Sequence, residues 1–237
     1  MSFCLLLCQI LTNFLQKSLG GVPIYKNAIR LLALLIIAIM YTTKFYFLSL
    51  NTLLAYIPLE LSFHIKDARS AVIQVILGCV WLLFFPNIPY LVTDIVHSDM
   101  LQLYNYADGS SLPSVRLWAL LIALFLVIFA FNLWGFSELL KLARYFKDRL
   151  NLHRYVIRFI VGAICFLSSM GIYAGRFPPR LHSIYFLTDP LKVFDIVFLQ
   201  WSQKKLEFVL LFFVLHLGIL TVLYIQNLLM GRKGENI

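Results

Sequence analysis

Charge is what this chain has least of. Asp, Glu, Lys and Arg together make up 13% of its 237 residues, whereas 61% are hydrophobic and the mean hydropathy is +0.86. Soluble domains carry roughly a quarter charged residues. This chain therefore cannot clothe a water-facing surface, and lipid is its natural solvent. Signatures of common catalysts are missing as well: there is no G-x-S-x-G, no H-E-x-x-H and no Walker lysine motif. The four cysteines, Cys4, Cys8, Cys79 and Cys165, form no C-x-x-C pair and read as small hydrophobes in helices. No low-complexity tract or Pro/Ser linker appears. The alternation of a membrane barrel is absent, which leaves helices as the spanning element. The first residues lack a positive n-region and an A-x-A-like site, so a cleaved signal peptide is not expected.

What is present is a series of apolar runs near the ~20 residues needed to cross the hydrocarbon core. Six spans are expected, over residues 28–47, 48–65, 71–95, 114–136, 156–174 and 206–230. Residues 138–155 are polar and basic and are expected to leave the membrane. No Gly-x-x-x-Gly falls within the spans so bounded. Residues 2–16 are too short to cross; Gln9, Thr12, Asn13 and Gln16 share one helical face and Phe3, Leu6, Leu7, Ile10 and Phe14 the other, as in an interfacial helix. A second such helix is expected after Asp189-Pro190, an N-cap followed by a first-turn proline, with Phe194, Val197, Phe198 and Trp201 on one side. The expected fold is an all-α polytopic bundle with one or two interfacial amphipathic helices. Residues 1–27 form an interfacial segment and residues 28–237 a single membrane domain.

The net charge of +9 is not arranged for nucleic acid. Lys and Arg sit in short clusters between apolar runs, where anionic headgroups explain them, so the expected partner is membrane lipid. With both termini inside, 13 of the 20 basic residues fall on the inner side, six of them between Lys141 and Arg158. That bias predicts that both termini are cytoplasmic.

Ionisable groups cost roughly 2.5–3.5 kcal/mol at mid-span on insertion scales, so they are the candidates for chemistry. Glu60 follows Pro58, which frees the carbonyl of Leu54, and His64 lies one turn on. A broken helix beside a carboxylate is a cation site in transporters; the plainer reading is that Glu60 reaches His64 or Lys66. The densest polar cluster is FFPNIPYLVTDIVHSD. Pro86 and Pro89 should kink the chain and expose backbone groups that Asn87 or Thr93 can satisfy. Asp94 and His97 are three apart, so a helix puts both on one face, either as an acid/base pair or as two ligands of a metal. Asp99, His182 and Asp108 are further donors on the same side. Arg176 and Arg180 of GRFPPR can hold a phosphate or carboxylate, or pair with Asp94 and Asp99. Asn132 and His216, inside spans, read as interhelical hydrogen-bonders.

Three functional readings stand on these residues. The chain is a membrane protein whose outer-face cluster binds a small polar ligand or lipid headgroup; or a metal-assisted or acid/base enzyme acting on a lipid-linked substrate at the outer interface; or a proton- or cation-coupled transporter.

N-T-L-L-A-Y-I-P (residues 51–58), L-F-F-P-N-I-P-Y-L-V-T-D-I-V-H (residues 83–97) and G-R-F (residues 175–177) resemble the DUF1361 family of uncharacterised bacterial membrane proteins. The resemblance covers residue 28 to the last span. It implies a multi-pass bacterial plasma-membrane protein and no activity. Family members tend to continue past G-R-F into Asn-Ser-Trp-Asp, whereas this chain reads Pro178-Pro179-Arg180-Leu181-His182-Ser183-Ile184-Tyr185, without the acidic residue.

Overall fold

The computed structural model describes residues 24–43, 46–101, 104–105, 110–111, 114–181 and 185–229. Residues 2–16, expected as an interfacial helix, lie outside them, as do Lys44, Asp108 and His182. The long elements are α1 (Ile24–Tyr41), α2 (Tyr46–Ile65), α3 (Ala71–Phe84), α4 (Val115–Arg149), α5 (Arg154–Arg176) and α6 (Gln203–Leu229). The protein is all-α apart from one antiparallel pairing of Tyr104–Asn105 with Ser110–Ser111. Among the described residues, four stretches are long and apolar enough to cross a membrane: Ala71–Leu101, α4, α5 and α6. The expected six adds α1, 18 residues with Lys26 and Arg30 in its first two turns, and α2, 20 residues holding Asn51, Pro58, Glu60 and His64; both are shorter than those four.

The chain divides into two compact units within α2, between Leu53 and Leu54. In the first unit the Ser49 hydroxyl donates to the Ile37 carbonyl at 3.0 Å and ties α2 to α1. Thr52 bonds its own helix, donating to the Leu48 carbonyl at 2.6 Å. Both hydroxyls thereby find acceptors where water is absent.

In the second unit α4, α5 and α6 pack pairwise, and α5 against α6 is the most extensive pairing. Their outward faces are apolar: Phe159 on α5 and Leu211 and Val214 on α6 are exposed, as lipid-facing side chains should be. α4 contains the expected span and extends beyond it. No break follows residue 136; the helix runs 35 residues to Arg149, about 52 Å at 1.5 Å per residue. That exceeds the ~30 Å hydrocarbon core. Polar residues alone do not end a helix, because Lys, Leu, Arg and Glu are good helix formers. The connector to α5 is therefore only residues 150–153, with Asn151 at φ 48° as its left-handed turn residue.

The third expected span also departs from one regular helix. α3 stops at Phe84, a single turn forms at Asn87–Tyr90, and a 3-10 helix covers Leu91–Leu101. Pro86 and Pro89 have no N–H to offer the α-helical ladder, which accounts for the break.

After α5 the chain makes the turn Tyr185–Thr188, a short helix Pro190–Phe194 and a π-helical turn Asp195–Leu199. Asp189 is its N-cap, accepting from the Lys192 N–H at 3.2 Å, with Pro190 in the first turn as the sequence predicts. The expected aromatic face is rearranged. Val193, Ile196 and Val197 turn inward onto Met170, Ala174 and Val209, while Phe194, Phe198 and Trp201 are exposed. The wider π turn rotates Val197 away from the helical register that joined it to the aromatics.

Candidate functional site

Three glycines seat the proline break. A Cβ on Gly171 would lie 3.1 Å from Pro86 Cγ, and one on Gly175 would lie 3.6 Å from the Tyr90 ring. On α4, a Cβ on Gly135 would lie 2.5 Å from Ile88 Cδ1. Small residues let backbones approach this closely within a membrane. Gly171 and Gly175 form a Gly-x-x-x-Gly pair that the sequence reading excluded by ending the fifth span at residue 174; α5 continues to Arg176. The two family-like motifs, around Pro86 and around Gly175, thus meet face to face. Asn87 does what was expected of it, donating Nδ2 to the Phe84 carbonyl at 2.9 Å. Thr93 does not: its Oγ1 is buried without a hydrogen-bond partner among the described residues.

Asp94 and His97 do come together. The 3-10 helix stacks residues three apart. It sets His97 Nδ1 3.8 Å from Asp94 Oδ1 and 3.3 Å from the Asp94 carbonyl oxygen. The Asp94 side chain is 1% exposed and that of His97 31%, so a half-open imidazole sits beside a buried carboxylate, with its Nδ1 hydrogen-bonded to the Asp94 carbonyl rather than to the carboxylate. This segment packs on α4. Asp99 is exposed. No three His, Cys, Asp or Glu side chains cluster as metal ligands among the described residues.

The arginines do not join them. Neither Arg176, half-buried, nor Arg180, exposed, makes an ion pair with an acidic side chain among the described residues, so the expected pairing with Asp94 and Asp99 is not formed. The reason lies in the packing: α5 meets the break at Pro86–Tyr90, whereas Asp94 lies on α4. The GRFPP turn instead faces the segment before α6. Between them lies a cavity of about 150 Å³ lined by Tyr173, Phe177, Pro178, Pro179, Gln200, Trp201 and Ser202 among others. Lys204 Nζ sits 4.4 Å from the Phe177 ring centroid, a cation–π contact at its edge.

Beneath this cavity is a residue the sequence reading placed only among outer-facing charges. Lys205 is 1% exposed, and its Nζ donates to the carbonyls of Ile196 at 2.7 Å, Val197 at 2.9 Å and Gln200 at 2.7 Å. Those carbonyls lie in the last turn of the Pro190–Leu199 segment and at its C-cap, Gln200, the negative end of its dipole. Ser202 caps α6 by accepting from the Lys205 N–H at 3.1 Å, which fixes where the lysine starts.

Glu60 takes the plainer of its two readings. Tyr56 donates to its Oε2 at 2.8 Å and His64 Nε2 lies 2.9 Å from Oε1, all within α2, which is helical on both sides of Pro58. The more deeply buried acid is Glu138, 2% exposed, with Lys141 Nζ at 2.6 Å and Lys66 Nζ at 4.0 Å. The sequence reading passed over it by taking residues 138–155 out of the membrane. The signal was present as an i,i+3 Glu–Lys pair at the end of an apolar run.

His216 is fully buried and hydrogen-bonds between helices, as expected. Its Nδ1 is 3.1 Å from the Cys165 carbonyl and 3.1 Å from Ser169 Oγ. A carbonyl only accepts, so Nδ1 carries the proton. Asn132 corrects its expectation, since Nδ2 donates to Ile128 of its own helix at 2.8 Å. Ser169→Ala should lower stability by only about 0.6 kcal/mol, typical of interhelical polar contacts in membranes, as read by chemical unfolding in mixed micelles. A loss above ~2 kcal/mol would contradict that role.

The model of the family described as "Protein of unknown function (DUF1361)" matches residues 50–219. No curated protein and no solved structure matches the chain. With most of its length matched, from α2 to the middle of α6, this chain belongs to the DUF1361 family.

Proposed function

We propose that this multi-pass protein binds a small anionic group, as a lipid headgroup or a free ligand, at the end of the bundle where GRFPP meets Trp201. The observation that carries this reading is the cavity itself. It is part polar through Gln200 and Ser202 and walled by aromatic rings; Arg176 and Arg180 bracket its lining residues Phe177–Pro179 in sequence and make no ion pair with an acidic side chain among the described residues. Guanidinium groups hold phosphate or carboxylate oxygens bidentately. The exposed Phe194, Phe198 and Trp201 beside it suit the headgroup level of a bilayer. The 13-to-7 distribution of basic residues favours both termini in the cytoplasm, which puts this end outside, and the family resemblance suggests the plasma membrane.

The test compares glycerol phosphate and dihexanoyl phosphatidylglycerol as probes for the full chain in mild detergent, followed by native mass spectrometry. Arg176→Gln/Arg180→Gln should weaken a bound probe at least tenfold, the range for lost charge-assisted hydrogen bonds. Binding of both probes makes the anionic group sufficient; binding of the lipid alone makes it a headgroup site. Binding that ignores the double substitution, or no binding of either probe, defeats the reading.

A second reading rests on the proximity of His97 Nδ1 to the buried Asp94 carboxylate, 3.8 Å apart at the end of the third apolar stretch, as a candidate acid/base pair. It predicts that a hydrolytic activity on a lipid-linked substrate disappears in His97→Ala while anion binding at Arg176 persists.

A further inference from the structure

The geometry points to a second lipid site: an anionic phospholipid lies with an acyl chain in the apolar crevice between α3, α4 and α5 and its phosphate on the arginines of the α4–α5 turn. The crevice has a volume of about 270 Å³, and no polar atom faces it. Trp81 and Gly78 of α3 form one wall, Leu142 and Phe146 of α4 a second, and Ile157 and Val161 of α5 the third. A void of this size between membrane helices has no use for water, and a hydrocarbon chain is the occupant its chemistry accepts.

The charge at its mouth selects the headgroup. Residues 141–158 carry Lys141, Arg144, Lys147, Arg149, Arg154 and Arg158 against one acid, Asp148. Lys147 follows Ala143 by one turn, and Arg154 and Arg158 precede Ile157 and Val161 by three positions, so these cations flank the same helical faces that line the crevice. Two tyrosines hold the guanidinium groups in place. Arg149 Nη1 donates to Tyr145 Oη at 2.5 Å, and Arg154 Nη2 to Tyr155 Oη at 3.3 Å. The guanidinium carbons of Arg154 and Arg158 lie 5.1 and 6.0 Å from the Tyr155 ring centroid. Tyrosine belongs at the headgroup level, and basic recesses between membrane helices select anionic headgroups. A zwitterionic lipid fills the crevice equally well and gains nothing from the rim.

Two substitutions separate the halves of the site. A Cβ on Gly78, which lines the crevice, meets no atom within 4 Å, so the side chain of Gly78→Leu starts in open space there, and the substitution improves helix propensity. Arg154→Gln/Arg158→Gln removes two exposed rim charges in the first turns of α5. The experiment is native mass spectrometry of the full chain exchanged into equimolar dioleoyl phosphatidylglycerol and dioleoyl phosphatidylcholine. Wild type should retain phosphatidylglycerol preferentially. The arginine pair should cut that preference by roughly 30-fold, the value of two basic side chains at an anionic surface. Gly78→Leu should abolish retention of both lipids, with an unfolding midpoint no lower than wild type. Equal retention of the two lipids by wild type overturns the headgroup assignment. Undiminished phosphatidylglycerol in Gly78→Leu overturns the crevice, and competition by inorganic phosphate alone would leave the rim as a free-anion site. Arg176 and Arg180 are unaltered throughout, so failure here is distinct from failure at the Trp201 cavity.

Discussion

Lys205→Met is expected to destabilise the protein by about 2–4 kcal/mol, lowering the unfolding midpoint in mild detergent by roughly 5–15 °C. Methionine keeps most of the side-chain length and the apolar stem, so little packing is lost. The loss is electrostatic: the carbonyls of Ile196, Val197 and Gln200 each surrender a donor, and all three accept from a single ammonium. A buried acceptor without a donor costs about 1–3 kcal/mol. A cation at a partly buried helix C-terminus contributes up to ~2 kcal/mol. Cation–π contacts add to this, with Nζ 4.7 Å from the Trp201 ring centroid and 5.9 Å from that of Tyr173. Lys204→Met is the control. Lys204 touches the Phe177 ring from an exposed position and should change stability by no more than about 0.5 kcal/mol. Equal losses from the two substitutions, by thermal unfolding followed with circular dichroism, would remove Lys205 from its role as the cap of this segment. Because the same carbonyls end at Gln200, which lines the Trp201 cavity, Lys205→Met should also weaken any anion bound there.

The lysine pair shows why such a residue hides from a sequence. Lys204 and Lys205 are chemically identical neighbours at the start of an apolar run, where two lysines read as a headgroup-facing pair. Which of them turns inward depends on where the Pro190–Leu199 segment ends, and that end is set by a π turn no local pattern announces. Local signals were legible wherever one residue dictates its own geometry. Asp189-Pro190 capped a helix, Pro86 and Pro89 stopped one, and Asn87 covered a carbonyl. Amphipathic spacing also served for Asp94 and His97, because a 3-10 helix keeps residues three apart in register. The same method failed at Glu138. Polarity marks where a chain leaves the bilayer but not whether its helix continues, and here α4 continues and buries the acid against Lys141 and Lys66. It failed again at Arg176 and Arg180, whose opposite charge to Asp94 and Asp99 suggested a partner. Charge says who attracts whom; only the packing of the break on α5 decides who is in reach.

That packing is the subject of the second large effect. Gly135→Val should cost about 2–3 kcal/mol, the upper part of the range for overpacking a core. A Cβ at this position would come within 2.5 Å of Ile88 Cδ1 and 2.8 Å of Ile88 Cγ2. The Cδ1 methyl is the far end of a flexible chain and can swing away. Cγ2 cannot, because it is fixed to the branched Cβ, whose rotamer is stiff. Ile88 itself is 1% exposed and sits between Pro86 and Pro89, which fix φ on both sides and prevent the backbone from yielding. On the far side of the break, Pro86 is already within 3.1–3.2 Å of the space over Gly171, so the turn has no room to move toward α5. Shrinking the partner relieves the clash. In an Ile88→Ala background, Gly135→Val should cost at least about 1 kcal/mol less than in wild type, a coupling within the usual range for residues in contact. Gly162→Ala measures helix propensity alone, since a Cβ there meets nothing within 4 Å, and it should stabilise by about 0.5–1 kcal/mol. Additive costs for Gly135→Val and Ile88→Ala would mean that the break does not seat on Gly135. The residue pair would then carry no part in holding Asp94 and His97 where the 3-10 helix begins.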